Sequence, residues 1–184
     1  MVMFVDLTVT LTSENLGNAD LSETLLKSGH LGTHFDVMNK TFPLEYLSRS
    51  GIVFHVKEIR ERDIETEDID LSLVQKDDFV LFHTGWIEEK GYGNKDYFHD
   101  HPQLSDALID ALLEKGISMI GVDAPGIRRG KEHTPKDQYC ADHGVFVVEN
   151  LCHLEEIHTR CRIYTFPLKI EGPSGLPCRA AAEL

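Results

Sequence analysis

The sequence is short of positive charge. Its 18 Lys and Arg face 31 Asp and Glu, a formal net charge of −13. Nucleic acids and anionic membrane surfaces reward basic patches, so neither is expected as a partner. Long apolar runs are also missing: nothing approaches the about 18 residues that a spanning helix needs. The opening stretch MVMFVDLTVTLT has no basic segment ahead of a long apolar one, so no secretory signal is expected. Cysteines are few (Cys140, Cys152, Cys161 and Cys178) and form neither a C-x-x-C pair nor an even ladder. Reduced thiols in a cytoplasmic protein are the expectation. Internal repeats and low-complexity linkers are absent too.

What remains has ordinary globular composition: 184 residues, 41% hydrophobic and 27% charged. That suits one domain, residues 1–184, large enough to bury a core. MFVDLTVTL, SGIVFHVKEI and DDFVLFHTGW read as strands from their alternation or their short apolar runs. The mixed-charge block KEIRERDIETEDIDLS reads as a solvated loop or helix. PQLSDALIDALLEKG has helical spacing, with Pro102 just before it and Gly116 just after. ISMIGVDAPG follows as a buried strand, completing a strand–helix–strand unit. In EHTPKDQYCADHG, Thr134 as N-cap, Pro135 at the first helical position and Asp137 at the third predict a helix ended by Gly144. VFVVENL and RIYTFPLKIEG are further strands, the latter before a Pro-Ser-Gly turn and the C-terminal LPCRAAAEL. The fold class is α/β.

One short stretch stands apart. GHLGTHFDVMNK holds His30, His34 and Asp36 within seven residues. Neutral imidazoles and a carboxylate suit zinc, manganese or iron(II). Fully extended, the six steps from His30 to Asp36 would span roughly 20 Å at about 3.3 Å each, too far to share one ion. A metal site therefore requires a bend, which Gly32 permits most easily. Ten histidines in the chain make close pairs common, so a hydrogen-bonded polar turn explains the local pattern equally well.

HLGTHFD resembles the H-x-G-T-H-x-D core of the cyclase family of metal-dependent hydrolases, which includes bacterial kynurenine formamidases and isatin hydrolases. FPLEYL, HTGW, GISMIGVDAPGI, GVFVVENLCHLEEI and FPLKIEGPSGLPCRAAA match in the same order, covering nearly the whole chain from Asp6. The resemblance implies a swivelling β/β/α domain, usually dimeric or tetrameric, with one or two divalent ions such as Zn or Mn. It implies His30, His34 and Asp36 as ligands with Glu149, a residue also expected to take part in catalysis. The implied activity is hydrolysis of a C–N amide bond, a formamide or cyclic amide, in a small-molecule substrate. A non-catalytic small-molecule-binding member, or a lactone or ester hydrolase, are the alternatives.

Two positions depart from the family pattern. The motif usually continues D-x-P-x-H, its last histidine acting as general base or acid, but here Met38 and Lys40 follow Asp36. Lys40 keeps the histidine's register and is expected to face the metal as an electrostatic group. Twelve residues before Glu149 the family often has a liganding histidine; here Asp137 stands there, as a further ligand or a helix cap, with His133 nearby. The ligand role is preferred. Trp86, with Tyr92, Tyr97 and Phe98, is expected to line an aromatic substrate pocket or to pack in the core. Arg128, in the basic spot GIRRGKEH, is expected to receive a substrate carboxylate or to form an ion-paired loop. Cys140 reads as a buried structural thiol.

Overall fold

The structure, a computed structural model, describes residues 2–16 and 19–184. In chain order its elements are β1 (Phe4–Asp6), α1 (Ala19–Ser28), β2 (His34–Asp36), β3 (Ser48–His55), β4 (Phe79–His83) and α2 (Trp86–Lys90). Then follow α3 (Asp106–Glu114), β5 (Met119–Val122), α4 (His133–Asp142), β6 (Phe146–Glu149), β7 (Cys161–Pro167) and β8 (Gly175–Glu183), with short 3-10 turns between. One sheet runs in the order β1-β8-β2-β6-β5-β4-β3-β7. Because β7 also pairs with β8, seven strands close into a ring and β1 extends β8 at its side.

The closed ring follows from the side-chain pattern. β3 through β6 run parallel, and β4, β5 and β6 are buried along their whole length. Strands covered on both faces read as continuous apolar runs, which is why they were legible. Alternation still sorts their two faces. Phe79, Leu81, Met119, Phe146 and Val148 point into the ring, where Phe35, Ile163, Ala180 and Ala182 meet them. Val80, Phe82, Ile120, Val122 and Val147 point outward under α3, which contributes Leu108, Ile109 and Leu112. Ser105 caps α3 by accepting from the Leu108 amide at 3.1 Å.

Two elements carry no clear signal in the sequence. α1 is a short helix, and β8 is built largely from Gly, Pro, Cys and Ala. The small side chains of Ala180 and Ala182 fit where β8 lines the inside of the ring. The first strand is shorter than its alternation suggests, with only a bridge from Thr8 to Leu151 beyond Asp6. The helix before Gly144 begins at His133, and Thr134 is not its cap. Pro135 thus lies one position after Thr134 inside the first turn, and Asp137 is carried into the helix body.

The carboxyl ends of the four parallel strands form one chemical edge. His55 ends β3, His83 ends β4, Asp123 directly follows β5, and Glu149 ends β6. Sites in parallel α/β sheets gather at this edge.

Candidate metal centre

The bend required by the histidine motif is present. Gly32 sits at φ 70°, a conformation that costs other residues. It turns the chain into β2, whose two-residue period puts His34 and Asp36 on one face while Phe35 fills the ring. Upstream, Gly29 lies at φ 81° against Gly175, so close that a Cβ on Gly175 would stand 2.6 Å from the Gly29 carbonyl oxygen. This backbone contact fixes where His30 starts. β2 pairs antiparallel with β6 so that His34 stands opposite Glu149. Residues more than a hundred positions apart therefore share one face.

The polar atoms converge. His30 Nε2 lies 2.9 Å from Asp36 Oδ1, and its Nδ1 is 3.0 Å from Ser28 Oγ. His34 Nδ1 lies 2.8 Å from the Gly32 carbonyl oxygen, which can only accept. His34 therefore carries its proton on Nδ1 and turns the Nε2 lone pair inward. That Nε2 is 3.5 Å from Glu149 Oε2 and 3.7 Å from Asp36 Oδ1. From α4, His133 Nε2 reaches 3.1 Å from Glu149 Oε1 and 3.2 Å from Asp137 Oδ2. His133 and Asp137 are four residues apart, one above the other on a helix face.

Two groups of donors result, His30–His34–Asp36 and Asp36–His133–Asp137–Glu149, with donor atoms inside each group within 4.8 Å of one another. Asp36 belongs to both. Beside them opens a cavity of about 280 Å³ whose further walls are Leu25, Phe98, Pro125 and Thr134.

The electrostatics are those of a place built for a cation. Burial raises the Glu149 and Asp137 carboxyls well above the usual range, and their carboxylate neighbours raise them further. Burial also pushes Asp36 up, but the hydrogen bond from His30 and the nearby histidines outweigh it and hold that carboxyl low. Burial lowers His34, against the pull of Asp36. Four buried atoms here, His34 Nε2, Asp36 Oδ2, Asp137 Oδ1 and Glu149 Oε1, make no well-aligned hydrogen bond, Glu149 Oε1 included although His133 Nε2 lies 3.1 Å away. Buried polar atoms are nearly always partnered, so four orphans at one point ask for something that binds lone pairs. A divalent ion fits this mixture of imidazole and carboxylate donors.

The structure thus brings together His30, His34, Asp36, Asp137 and Glu149, with His133, the nearby candidate, beside them. Asn150, next to Glu149, supports them: its amide donates to the Gly32 carbonyl at 2.9 Å, and the Tyr97 hydroxyl donates to its Oδ1 at 2.7 Å. Tyr92 accepts the Gly32 amide at 2.8 Å. The sequence offered Tyr92 and Tyr97 only as pocket or core aromatics, and Asn150 only as a neighbour of Glu149, so their role as supports was not legible.

Three candidate site residues lie away from these donors, Trp86 and Arg128 in the packing and ion-pairing alternatives that the sequence also offered. Lys40 does not face the donors; its ammonium lies 2.6 Å from Asp142, at the far end of α4 from His133. Met38 takes the left-handed φ of 55° and the chain turns there, with the Lys40 amide bonding back to the Val37 carbonyl. Lys40→Met is accordingly expected to leave metal content unchanged and any turnover within about twofold of wild type, because half-exposed ion pairs contribute little. Metal analysis of the purified variant checks this, and loss of metal would restore Lys40 to the site.

Trp86 is buried in the outer core, its indole N–H donating to the Tyr97 carbonyl at 2.8 Å. Of the four aromatics, Phe98 lines the cavity. Arg128 is buried too, its guanidinium held by Asp63 and the Leu104 carbonyl, at 2.7 and 2.8 Å, and by Glu132. With those donors engaged, it has little left for a substrate carboxylate. Cys140 is fully buried, its thiol pushed up to about 12 by burial, which leaves it inert.

Comparison with known proteins agrees with this fold. The kynurenine formamidase of Bacillus mycoides (strain KBAB4) is 27% identical, over 94% of this chain and 84% of its own length. A solved structure described as a potential metal-dependent hydrolase with cyclase activity superposes with a TM-score of 0.81 at 24% identity, covering 100% of this chain and 98% of that one. Isatin hydrolase A from Labrenzia aggregata, solved with benzyl benzoate, gives 0.75 at 19% identity, over 100% and 94% of the two chains. The family model for putative cyclases matches residues 5–129, from β1 through the β5 edge, and the chain belongs to that family.

Proposed function

We propose that the protein is a metal-dependent hydrolase that cleaves a C–N amide bond, a formamide or a cyclic amide, in a small molecule. The observation that carries this reading is the convergence of four orphaned donor atoms beside a cavity of about 280 Å³. The formamidase and isatin hydrolase names among its relatives support the bond type. His30, His34, Asp36 and Glu149 would hold a zinc or manganese ion, and the second group around Asp36 would take a further one. Such an ion supplies Lewis acidity and a more acidic bound water.

The chain's own residues do the rest. The Gly32 carbonyl locks the His34 tautomer, with Asn150 and Tyr97 bracing that carbonyl. Phe98, backed edge-on by Tyr97 at 5.3 Å between ring centres, offers a flat apolar wall to a planar substrate. With Lys40 turned away, proton transfer falls to His133 when one ion is bound. Its side chain is 31% exposed on the cavity wall and its Nε2 faces Glu149. It can take a proton from the attacking water and return it to the departing nitrogen.

The test is turnover by chelator-treated protein, before and after metal is restored, on an N-formyl arylamine, a cyclic amide, a lactone and an ester. Metal-dependent cleavage of at least one of the two amides is expected. Cleavage of the oxygen esters alone would change the bond class, and no turnover of any would leave a binding protein. The same reading places the enzyme in the cytoplasm and as a homo-oligomer, the assembly supported by Phe4, Phe166 and Leu168, each more than half exposed around the β1–β8–β7 face. Sedimentation equilibrium at micromolar concentration should then give a mass above 20.8 kDa; a monomer would refute the assembly.

A further inference from the structure

The carboxyl edge of the sheet carries a second set of imidazoles, on the strands beyond β5. His83 and His55 lie two and three strands from Glu149, about 10 and 14 Å along the sheet at some 4.8 Å per strand. The pair register sets them side by side, and their Nδ1 atoms face each other at 2.8 Å. Their outer nitrogens are already engaged. His55 Nε2 lies 3.0 Å from the Ile157 carbonyl oxygen, which can only accept, so this nitrogen carries a proton. His83 Nε2 lies 2.8 Å from Glu88 Oε1 and donates to that carboxylate. In the neutral rings both Nδ1 atoms are then lone pairs pointed at one another. That contact repels unless a proton or a cation lies between them.

An imidazole that donates its far N–H to a carboxylate or a backbone carbonyl is oriented as metal-bound histidines are. Here two neighbouring rings have that arrangement. Two ligands on a tetrahedral ion, each about 2.0–2.1 Å from it, stand roughly 3.3 Å apart, so a small ring rotation opens the space. A cavity of about 330 Å³ adjoins the pair, also lined by His158 and Glu155. The His158 ring lies 5.6 Å from that of His55. Glu155 has a buried Oε2 with no hydrogen-bond partner. The cavity wall is net acidic, with Glu58 and Glu155 against Lys57, and Glu88 adds its carboxylate on the far side of His83. Asp123 is close to His83 but stays out, because its oxygens accept from the Thr84 amide and hydroxyl and the Gly85 amide, at 3.0, 2.5 and 2.6 Å.

The geometry points to a second, separate metal site in which the facing His55 and His83 Nδ1 atoms hold one divalent transition-metal ion, and the His158 imidazole and Glu155 carboxylate, on the wall of the same cavity, move in to complete its coordination. Three nitrogens and a carboxylate select zinc, cobalt, nickel or copper over magnesium and calcium. Burial and the neighbouring histidines lower the basicity of His55, which keeps the ring available as a ligand. The bound ion would tie the ends of β3 and β4 to the 154–158 turn, and it would displace any proton held between the two Nδ1 atoms. This site shares no residue with the centre proposed above and does not depend on that reading.

The experiment uses the full chain, stripped with chelator and titrated with Co²⁺ while visible absorption and calorimetry are followed. Wild type is compared with His55→Gln, with the exposed-residue variant His158→Ala, and with Asp36→Asn, which disables the other centre only. Wild type should bind one equivalent more than His55→Gln. His158→Ala should weaken that equivalent at least about tenfold. Asp36→Asn should keep it, and a tenfold excess of Mg²⁺ should not displace it. Circular dichroism confirms that each variant is folded, and His158 lies at the surface, where replacement is tolerated. Equal stoichiometry and affinity in wild type, His55→Gln and His158→Ala would overturn the proposal, leaving a proton between the two rings.

Discussion

Replacing Asp36 with asparagine is expected to empty the proposed catalytic centre and take turnover to background. Asp36 is the one side chain common to both donor groups, and it is almost fully buried. Asparagine keeps the size and can still accept from His30, but it removes the charge. Losing an outer support of a metal site already costs about 10–100-fold in affinity or activity. Loss of a shared ligand should exceed about a hundredfold. The metal-free variant should melt within a few degrees of metal-free wild type, because losing the Asp36 charge relieves its repulsion of Glu149 and Asp137 but gives up the histidine contacts that hold Asp36 low. Loss of metal with a near-native melt separates loss of a ligand from loss of the fold. A variant with full metal occupancy would show that Asp36 is not a ligand.

Metal should also stabilise the protein, and by more as pH rises. At about a hundred times its dissociation constant, a ligand bound only by the folded chain adds about 2.7 kcal/mol. For a chain of this size that is a rise of about 5–11 °C in Tm. The pH dependence comes from Glu149 and Asp137. Their folded values lie well above the unfolded ones, near 4.3 and 3.9. In metal-free protein their contribution is fully present below about pH 4 and is lost as pH rises through the raised values. Asp36, held low, acts below about pH 4 and leaves that window untouched. Histidines kept neutral by burial, His34 and His101, run the opposite way, losing stability as pH falls below about 6.5. The informative quantity is thus the difference between loaded and stripped protein. Protons on Glu149 and Asp137 compete with the ion, so the metal-induced rise in Tm should be small near pH 4.5 and grow toward neutrality. A constant difference across that range would mean that these carboxyls do not hold the ion.

The parts of the fold legible in the sequence were those with strong local signals. β4, β5 and β6 are uninterrupted apolar runs, and α3 has its apolar spacing with Pro102 ahead of it and Gly116 behind, though its cap, Ser105, was not legible. β8 has no such signal; its pairing with β1, β2 and β7 depends on strands far away in sequence, and small residues suit it because the ring interior is crowded. In the site, HLGTHFD announced three donors, and the apolar run before Glu149 announced a strand end facing them. His133 and Asp137 were harder to place because Pro135 looks like a first helical residue. Starting the helix at His133 instead puts both side chains one turn apart on one face. Lys40 misled for a backbone reason. Its position after Asp36 matches the family's histidine, but Met38 stands where the family has proline and turns the chain toward Asp142. The second histidine cluster is invisible in sequence, since only the parallel register of β3 and β4 sets His55 beside His83.

Diffraction from metal-loaded crystals, recorded at the absorption edge of the bound ion, reads the proposed catalytic centre directly. The expected result is an anomalous peak with His34 Nε2 and carboxylate oxygens of Asp36 and Glu149 about 2.0–2.3 Å away. Crystals of active enzyme with no peak there, and these side chains bonded only to one another and to water, would contradict it.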